Sequence, residues 1–203
     1  MKTPFRLQAS EFDCVPTTFL NAISYLFERS EIPPVVVQRI FLYCLDCFSN
    51  KKDFSHGTSG AAVRLLSEWL SEYSNKSFCL DAEVISGEKV HLGPGNKISQ
   101  CLNSGGVALF SVKHYGNYWH YILAVSAKDG WIYCFDPYPR SAKSNKADRY
   151  EFILGATGQQ PNLRIKYDWL DTQSNKFPFQ LGSKLMRECV LLERPRKRPA
   201  TKA

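Results

Sequence analysis

The first third of the chain carries apolar residues at the spacing of amphipathic helices. In three stretches an apolar residue recurs every three or four positions, and Pro33-Pro34 separate the first stretch from the second. Thr58 or Ser59 can cap the third stretch at its N-terminus. The predicted helices cover residues 16–29, 36–48 and 61–73. Each is expected to bury one face in a core.

After residue 76 the pattern changes to short β-branched and aromatic runs bounded by Gly, Pro, Asn and Asp, which is typical of β-strands. The predicted strands cover residues 78–85, 107–113, 118–126, 131–135, 150–154, 163–169 and 188–192, with a short helix near 98–102. Helices followed by an antiparallel sheet predict an α+β fold. We expect one domain over residues 1–193, with a helical lobe at about 1–76 and a sheet lobe at about 77–193.

The composition is that of a globular domain, and most of the excess charge falls in one segment. The 203 residues are 44% hydrophobic and carry a formal net charge of +7, so a core can form without disulfides or metal. Residues 194–203 concentrate basic side chains and prolines without an apolar anchor. We expect this tail to be disordered and solvated, the alternative being an arm for an acidic partner. The rest of the chain is nearly neutral, so nucleic acid is not an expected partner.

Hydropathy and cysteine usage predict where the protein acts. No apolar run approaches the roughly 18 residues that a membrane helix needs, and polar residues interrupt the N-terminal stretch where a signal peptide would be apolar. The seven cysteines are odd in number and scattered. We therefore expect no membrane span, no signal-peptide export and a reducing, cytoplasmic environment.

No motif in the sequence predicts a metal or a cofactor. Cys44 and Cys47 form a C-x-x-C pair, but it has no second pair at zinc-ligand spacing and falls in a predicted helix, where core packing is expected. The glycines at 57–60 and 93–95 lack the spacing of dinucleotide or phosphate-binding loops.

One cysteine has the setting of a nucleophile. Cys14 stands at the expected start of the first helix, where unpaired backbone N–H groups and the helix dipole favour a thiolate. Gln8 precedes it in a polar, extended stretch, from which its side-chain amide can donate to an oxyanion formed on a substrate. A thiolate also needs a base that holds and returns its proton, usually a histidine oriented by a third group.

Among the four histidines, His120 has the best setting for this role. It opens an apolar strand that turns at residues 128–130 and returns as the strand ending at Asp136. A three-residue turn with Gly130 in the left-handed region pairs position 127 with 131, and hence 122 with 136. His120 and Asp136 are then diagonal neighbours on one face, about 7–8 Å apart along the backbone. A two-residue turn would put the two side chains on opposite faces.

The other histidines have weaker settings. His56 and His91 lie among Gly, Ser and Pro and are expected on exposed loops. His114 ends a predicted strand but has no carboxylate at a matching register.

Together these residues resemble the papain-like cysteine peptidases that cleave double-glycine leaders from bacteriocin precursors. The resemblance spans roughly residues 5–140 and rests on Gln8, on Asp13-Cys14-Val15-Pro16-Thr17 opening a helix, and on His120-Tyr-Ile-Leu-Ala-Val followed by Asp136-Pro137. It implies a papain-like fold, with a helical lobe carrying the cysteine against a sheet carrying the histidine. It also implies a peptide or protein substrate and no cofactor.

The resemblance implies a role for each site residue. Cys14 would be the nucleophile, His120 the general base and acid, Asp136 the residue that orients His120, and Gln8 a donor to the oxyanion.

The sequence also departs from that family. Val15 stands where the family usually has Gly, residues 149–193 fall outside the similarity, and the membrane transporter to which the family domain is commonly fused has no counterpart here. Two other functions stay open. An acyltransferase or transglutaminase-like enzyme would pass the same Cys14 thioester to an amine, and a non-catalytic module would use the cleft to bind peptides, with Val15 as its hint.

Overall fold

One antiparallel sheet of seven strands organises the part of the chain that this computed structural model describes, residues 1–47, 57–93, 95–114, 118–140, 146, 148–174 and 176–195. The strands are β1 (Asp81–Ser86), β2 (Val107–Lys113), β3 (Trp119–Lys128), β4 (Trp131–Phe135), β5 (Tyr150–Phe152), β6 (Leu163–Lys166) and β7 (Glu188–Glu193). Their order in the sheet is β1-β7-β2-β3-β4-β6-β5. The helices are α1 (Cys14–Leu26), α2 (Pro34–Tyr43), α3 (Gly60–Glu72), α4 (Lys97–Asn103) and α5 (Tyr167–Leu170). The α+β class and the antiparallel sheet are confirmed.

The three helices expected at the front of the chain form, and local geometry sets their ends. Ser59 caps α3, because its hydroxyl accepts the Ala62 N–H at 3.1 Å. The prediction that the second helix reaches residue 48 is wrong. It ends at Tyr43, because Cys44 is extended and Leu45 adopts a left-handed φ of 61°. The predicted end of the first helix was also too late, since Phe27 is already extended.

Each face of the sheet carries its own hydrophobic core. The face covered by α1, α2 and α3 buries Phe19, Phe27 and Phe78 completely. The opposite face is covered by α4, α5 and the segment around Phe179, which packs against Phe110 of β2 and its neighbours. Full burial of side chains of this size contributes about 1.5–3 kcal/mol each. The two cores therefore cover β3 and β4 on both faces.

Residues 149–193, which lie outside the resemblance, supply three of the strands. β7 inserts between β1 and β2, and β6 and β5 extend the sheet beyond β4. The strand predicted at 163–169 is wrong in its second half, since β6 ends at Lys166 and the chain turns into α5. Leu170 is fully buried and the Trp169 indole donates to the Pro178 carbonyl at 3.0 Å, so this turn covers the second core.

The predicted tail begins with an anchored residue. Arg194 donates to the two carboxylate oxygens of Glu31 at 2.9 and 3.1 Å, and its guanidinium lies 4.5 Å from the centre of the Phe27 ring. Residues 196–203, on which the prediction of disorder mainly depends, lie outside the described residues.

Candidate active site

Cys14 occupies the first turn of α1, and hydrogen bonds to Asp13 fold the loop that precedes it. The Asp13 carboxylate accepts the Ala9 N–H at 2.8 Å and both the N–H and the hydroxyl of Ser10 at 2.6 Å. Burial would raise the pKa of Asp13, but these hydrogen bonds lower it on balance. Cys14 is 9% exposed, and the first-turn N–H groups, which have no acceptor within the helix, favour a negative charge at its sulfur.

His120 and Asp136 are in direct contact although sixteen positions separate them. His120 is the second residue of β3 and pairs with Val112 of β2, while Asp136 directly follows β4. The Nε2 atom of His120 lies 2.6 Å from Oδ1 of Asp136. Both side chains are almost completely buried, so water does not weaken their interaction.

The turn that joins β3 to β4 differs from the prediction, although the pairing at the site agrees with it. Lys128 pairs with Trp131, so the turn has two residues, with positive φ at both Asp129 (52°) and Gly130 (78°). The predicted three-residue turn is therefore wrong. A β-bulge between Ala124 and Ser126 inserts one extra residue into β3 and restores the register, with Leu123 opposite Phe135. His120 and Asp136 consequently share a face.

Three donors converge on the carboxylate of Asp136. Oδ1 accepts from His120 and from the Tyr138 N–H at 2.9 Å, and Oδ2 accepts from Nε of Arg140 at 3.0 Å. The side chain of Asn162 holds the Asp136 backbone, accepting its N–H at 2.7 Å and donating to its carbonyl at 2.8 Å. Burial alone would raise the pKa of Asp136, but His120 and Arg140 lower it. Asp136 is thus a fixed anion.

The ring of His120 interacts with Asp136 on one side and with Cys14 on the other. Burial alone would lower the pKa of His120, but the Asp136 carboxylate and the Cys14 sulfur, both hydrogen-bonded to the ring, raise it to about 9. Because Asp136 engages Nε2, Nδ1 is the ring nitrogen left for the sulfur. A pKa of about 9 makes the ring an imidazolium at neutral pH, next to the Cys14 sulfur.

Gln8 lies close to the site, with its side-chain amide bonded to the loop before Cys14. Its backbone N–H donates to the Pro137 carbonyl at 2.9 Å, which places it next to Asp136. Its side-chain amide donates to the Ser10 carbonyl at 2.6 Å, and its Oε1 is buried with no hydrogen-bond partner among the described residues. The structure therefore brings Cys14, His120 and Asp136 together, while the Gln8 amide is engaged with Ser10.

A pocket of about 460 Å³ opens at the cysteine and the histidine. Its lining comprises Glu11, Phe12, Cys14, Val15, Gly57, Thr58, His114, Tyr118, Trp119, His120, Tyr121 and Tyr138. The Tyr138 hydroxyl donates to Glu11 at 3.3 Å and so connects two walls. Val15 is almost completely buried in the first core and also lines the pocket beside Cys14.

Four residues at the site were not predicted from the sequence. Arg140, Tyr138 and Asn162 all contact Asp136, and the ring of His114 lies 5.2 Å from that of His120, centre to centre. The position of Arg140, four residues after Asp136 in a turn with two prolines, was a readable signal. No signal in the sequence pointed to Asn162, because its contact with Asp136 depends on β6 pairing beside β4.

Replacing Asn162 by Ala is expected to slow the reaction of Cys14 with an alkylating agent by roughly 10-fold. The variant loses both side-chain hydrogen bonds to the Asp136 backbone, each worth about 0.5–1.5 kcal/mol, and the carboxylate can then move relative to His120. Alkylation rates and thermal melting measure the two effects separately. A variant that melts lower but reacts at the wild-type rate would contradict this role.

The charge state of His120 predicts a pH dependence of stability. Its folded pKa of about 9 is above the ordinary value, so the folded protein holds a proton that the unfolded chain releases. The contribution, of order 3 kcal/mol, is fully present below pH ~6.5 and is lost as the pH rises through about 9. Urea unfolding at pH 6 and pH 10 should show this loss in the wild type but not in His120→Gln. Equal losses in both proteins would rule out the raised pKa.

Three further residues considered from the sequence are His91, His56 and Cys44. His91 is exposed, as expected, whereas His56 is not among the described residues. Cys44 is buried, and burial raises the pKa of its thiol to about 12. Among the described residues, no group of His, Cys, Asp and Glu could hold a metal ion.

Comparisons with known proteins add no assignment, because neither a protein-family model nor a curated protein matches this sequence. Within the described part of the chain, no helix is both long and apolar enough to cross a membrane.

Proposed function

We propose that this protein is a cysteine peptidase, or a related thiol-dependent amide hydrolase, with a papain-like architecture. The observation that supports it is the continuous contact from the Cys14 sulfur through the His120 ring to the buried Asp136 carboxylate, with Cys14 and His120 lining one pocket. A helix that begins at the nucleophile and packs on an antiparallel sheet carrying the base also supports the papain-like interpretation.

The proposed reaction proceeds through an acyl-enzyme. His120 already holds the proton given up by the thiol, and the Cys14 sulfur attacks the carbonyl carbon of an amide. The tetrahedral intermediate collapses as His120 gives its proton to the leaving nitrogen, the C–N bond breaks, and an amine departs. His120 then deprotonates a water molecule that attacks the thioester, and the carboxylic acid and the thiol are regenerated. Asp136 stays ionised throughout and holds the imidazole in one orientation.

The oxyanion is proposed to form near the N-terminus of α1. The first-turn backbone N–H groups there are suited to a negative oxygen. Gln8 would join them after its amide leaves the Ser10 carbonyl. Its buried, unpartnered Oε1 supports such a rotation, because a buried acceptor without a donor is costly.

The substrate class proposed is a peptide or protein, because aromatic side chains line much of the pocket around the sulfur. The seven cysteines are free thiols, which supports a reducing compartment such as the cytoplasm.

Labelling with a peptidyl chloromethyl ketone tests the proposal. The protein is treated with less than one equivalent at pH 7, and the adduct is located by peptide mapping. We expect the adduct on Cys14 before Cys79, the exposed free thiol, because Cys14 contacts the imidazole of His120. Faster labelling of Cys79, or Cys14 labelling that His120→Ala leaves unchanged, would contradict the proposal.

The products separate hydrolysis from acyl transfer. Peptide mixtures are incubated with the protein, with and without hydroxylamine, and analysed by mass spectrometry. New carboxyl termini in both samples indicate a hydrolase, whereas products formed only with the amine indicate a transferase. Peptide binding without any product would instead support a non-catalytic module.

A further inference from the structure

A buried arginine connects the two histidines of the pocket. Arg140 donates through Nε to Oδ2 of Asp136 at 3.0 Å, and its Nη2 lies 2.9 Å from Nδ1 of His114. Its side chain is only 7% exposed. Asp136 in turn contacts His120, so one continuous chain of hydrogen bonds runs from His114 through Arg140 and Asp136 to His120.

We propose that Arg140 is a positioning residue that holds the two neighbouring imidazole rings in different protonation states, His120 charged and His114 neutral. The proposal deepens the proposed function and rests on it, since a single charged imidazole beside Cys14 is what acyl transfer to sulfur requires.

The chemistry of the guanidinium group determines the state of His114. Arginine carries only donors and stays protonated in proteins, so the His114 Nδ1 must accept and the ring proton must reside on Nε2. If His114 took a second proton, its positive charge would be repelled by Arg140 and by the charged His120 ring, whose centre is 5.2 Å away. Burial, Arg140 and His120 together lower the pKa of His114 to about 4, against an opposing effect of Asp136.

Aromatic packing fixes the plane of the guanidinium. Its central carbon lies 4.5 Å from the centre of the Tyr138 ring and 5.5 Å from that of Phe179. The same Tyr138 ring lies 5.1 Å from His114 and, edge-on, 6.2 Å from His120. Lysine keeps the positive charge but lacks the planar fork that serves Asp136 and His114 together. Arg140→Lys should therefore restore only the contact to Asp136.

The protonation states explain how the pocket uses two histidines. His120 is the ring that holds and returns the proton, because it contacts both the sulfur and Asp136. His114 lines the same pocket as a neutral ring that accepts from Arg140. Loss of Arg140 would allow a second imidazolium to form next to Cys14.

Imidazole NMR titration of the full-length protein, with ¹⁵N-labelled histidine, tests the proposal. In the wild type we expect His114 to be neutral, with its proton on Nε2, at every pH above about 5. In Arg140→Gln and in Arg140→Lys we expect the His114 titration to move upward toward its ordinary value of ~6.5. An unchanged His114 titration and tautomer in both variants would overturn the proposal. Arg164→Gln removes a half-buried arginine that pairs with Glu151 outside the pocket lining, and this control should shift nothing.

Kinetics with an activated peptide ester supply the second readout. We expect kcat of Arg140→Gln to fall roughly 10²-fold with KM little changed, as for a misplaced catalytic group. Its pH profile should gain an acidic limb above the wild-type His114 pKa of about 4. His114→Asn, which keeps an acceptor for Arg140 and cannot be charged, should not show that limb. If the rate of Arg140→Gln fell only in proportion to its folded fraction, with an unchanged pH profile, the role of Arg140 would be structural alone. The NMR result does not require turnover, so failure of Cys14 labelling would reject the proposed function separately.

Discussion

Replacing Cys14 by Ala is expected to lower turnover of a peptide amide by about 10⁶-fold, the loss seen when an activated nucleophile is removed from a hydrolase. His120 and Asp136 keep their contact in this variant, but no atom remains to form the acyl bond. The residual rate should come from substrate binding and backbone donors alone. The loss is measured from progress curves with the peptide that product analysis identifies as a substrate. The variant is assayed at enzyme concentrations up to 100 times those used for wild type.

Cys79→Ala provides the matched control, because Cys79 is also a free thiol but is exposed and is not part of the pocket lining. It should retain wild-type turnover. Circular dichroism establishes that both variants are folded. A Cys14→Ala protein that is folded and still turns over within 10-fold of wild type would exclude Cys14 as the nucleophile.

Replacing Asp136 by Asn is expected to lower turnover by roughly 10⁴-fold, as in other enzymes where this change puts the histidine in the wrong tautomer. All three partners of the carboxylate are donors: His120, the Tyr138 N–H and Arg140. An amide has one oxygen and one NH₂ group, so one orientation sets the NH₂ against Arg140. In the other orientation the NH₂ group faces His120, so Nε2 must accept and the ring proton moves to Nδ1. That nitrogen can then no longer take the proton of the Cys14 thiol.

Asp171→Asn is the control for this substitution. Asp171 also pairs with a buried arginine, Arg187, at 2.5 Å, but it does not line the pocket. It should lower the melting temperature and leave the rate per folded molecule unchanged. If both variants lost turnover to the same extent, Asp136 would be acting on stability and not on His120.

The sequence predicted the elements well where the hydrophobic pattern was strong. β2 and β4 occur within the predicted bounds, and Ser59 caps α3 as expected. The register between His120 and Asp136 was predicted through a three-residue turn that does not occur. Two departures cancel: the turn is one residue shorter and a bulge adds one residue to β3. A bulge has little local signal, because it depends on how the strand packs on both cores.

Other features depended on contacts between distant segments. The insertion of β7 between β1 and β2 and the support of Asp136 by Asn162 both come from residues 149–193, beyond the part of the chain that carried the resemblance. Gln8 was predicted to face the oxyanion from its distance along the chain to Cys14. Its amide contacts Ser10 instead, because the Asp13 carboxylate folds the intervening loop into hydrogen bonds with Ala9 and Ser10.

Titration of the His120 ring by NMR, in the wild type and in Cys14→Ala, reports the contact between sulfur and imidazole without any substrate. We expect a pKa of about 9 for His120 in the wild type and a lower pKa in Cys14→Ala, since the sulfur is one of the groups that raises it. A His120 ring that titrates near the ordinary ~6.5 in both proteins would show that Cys14 and His120 do not act as a pair.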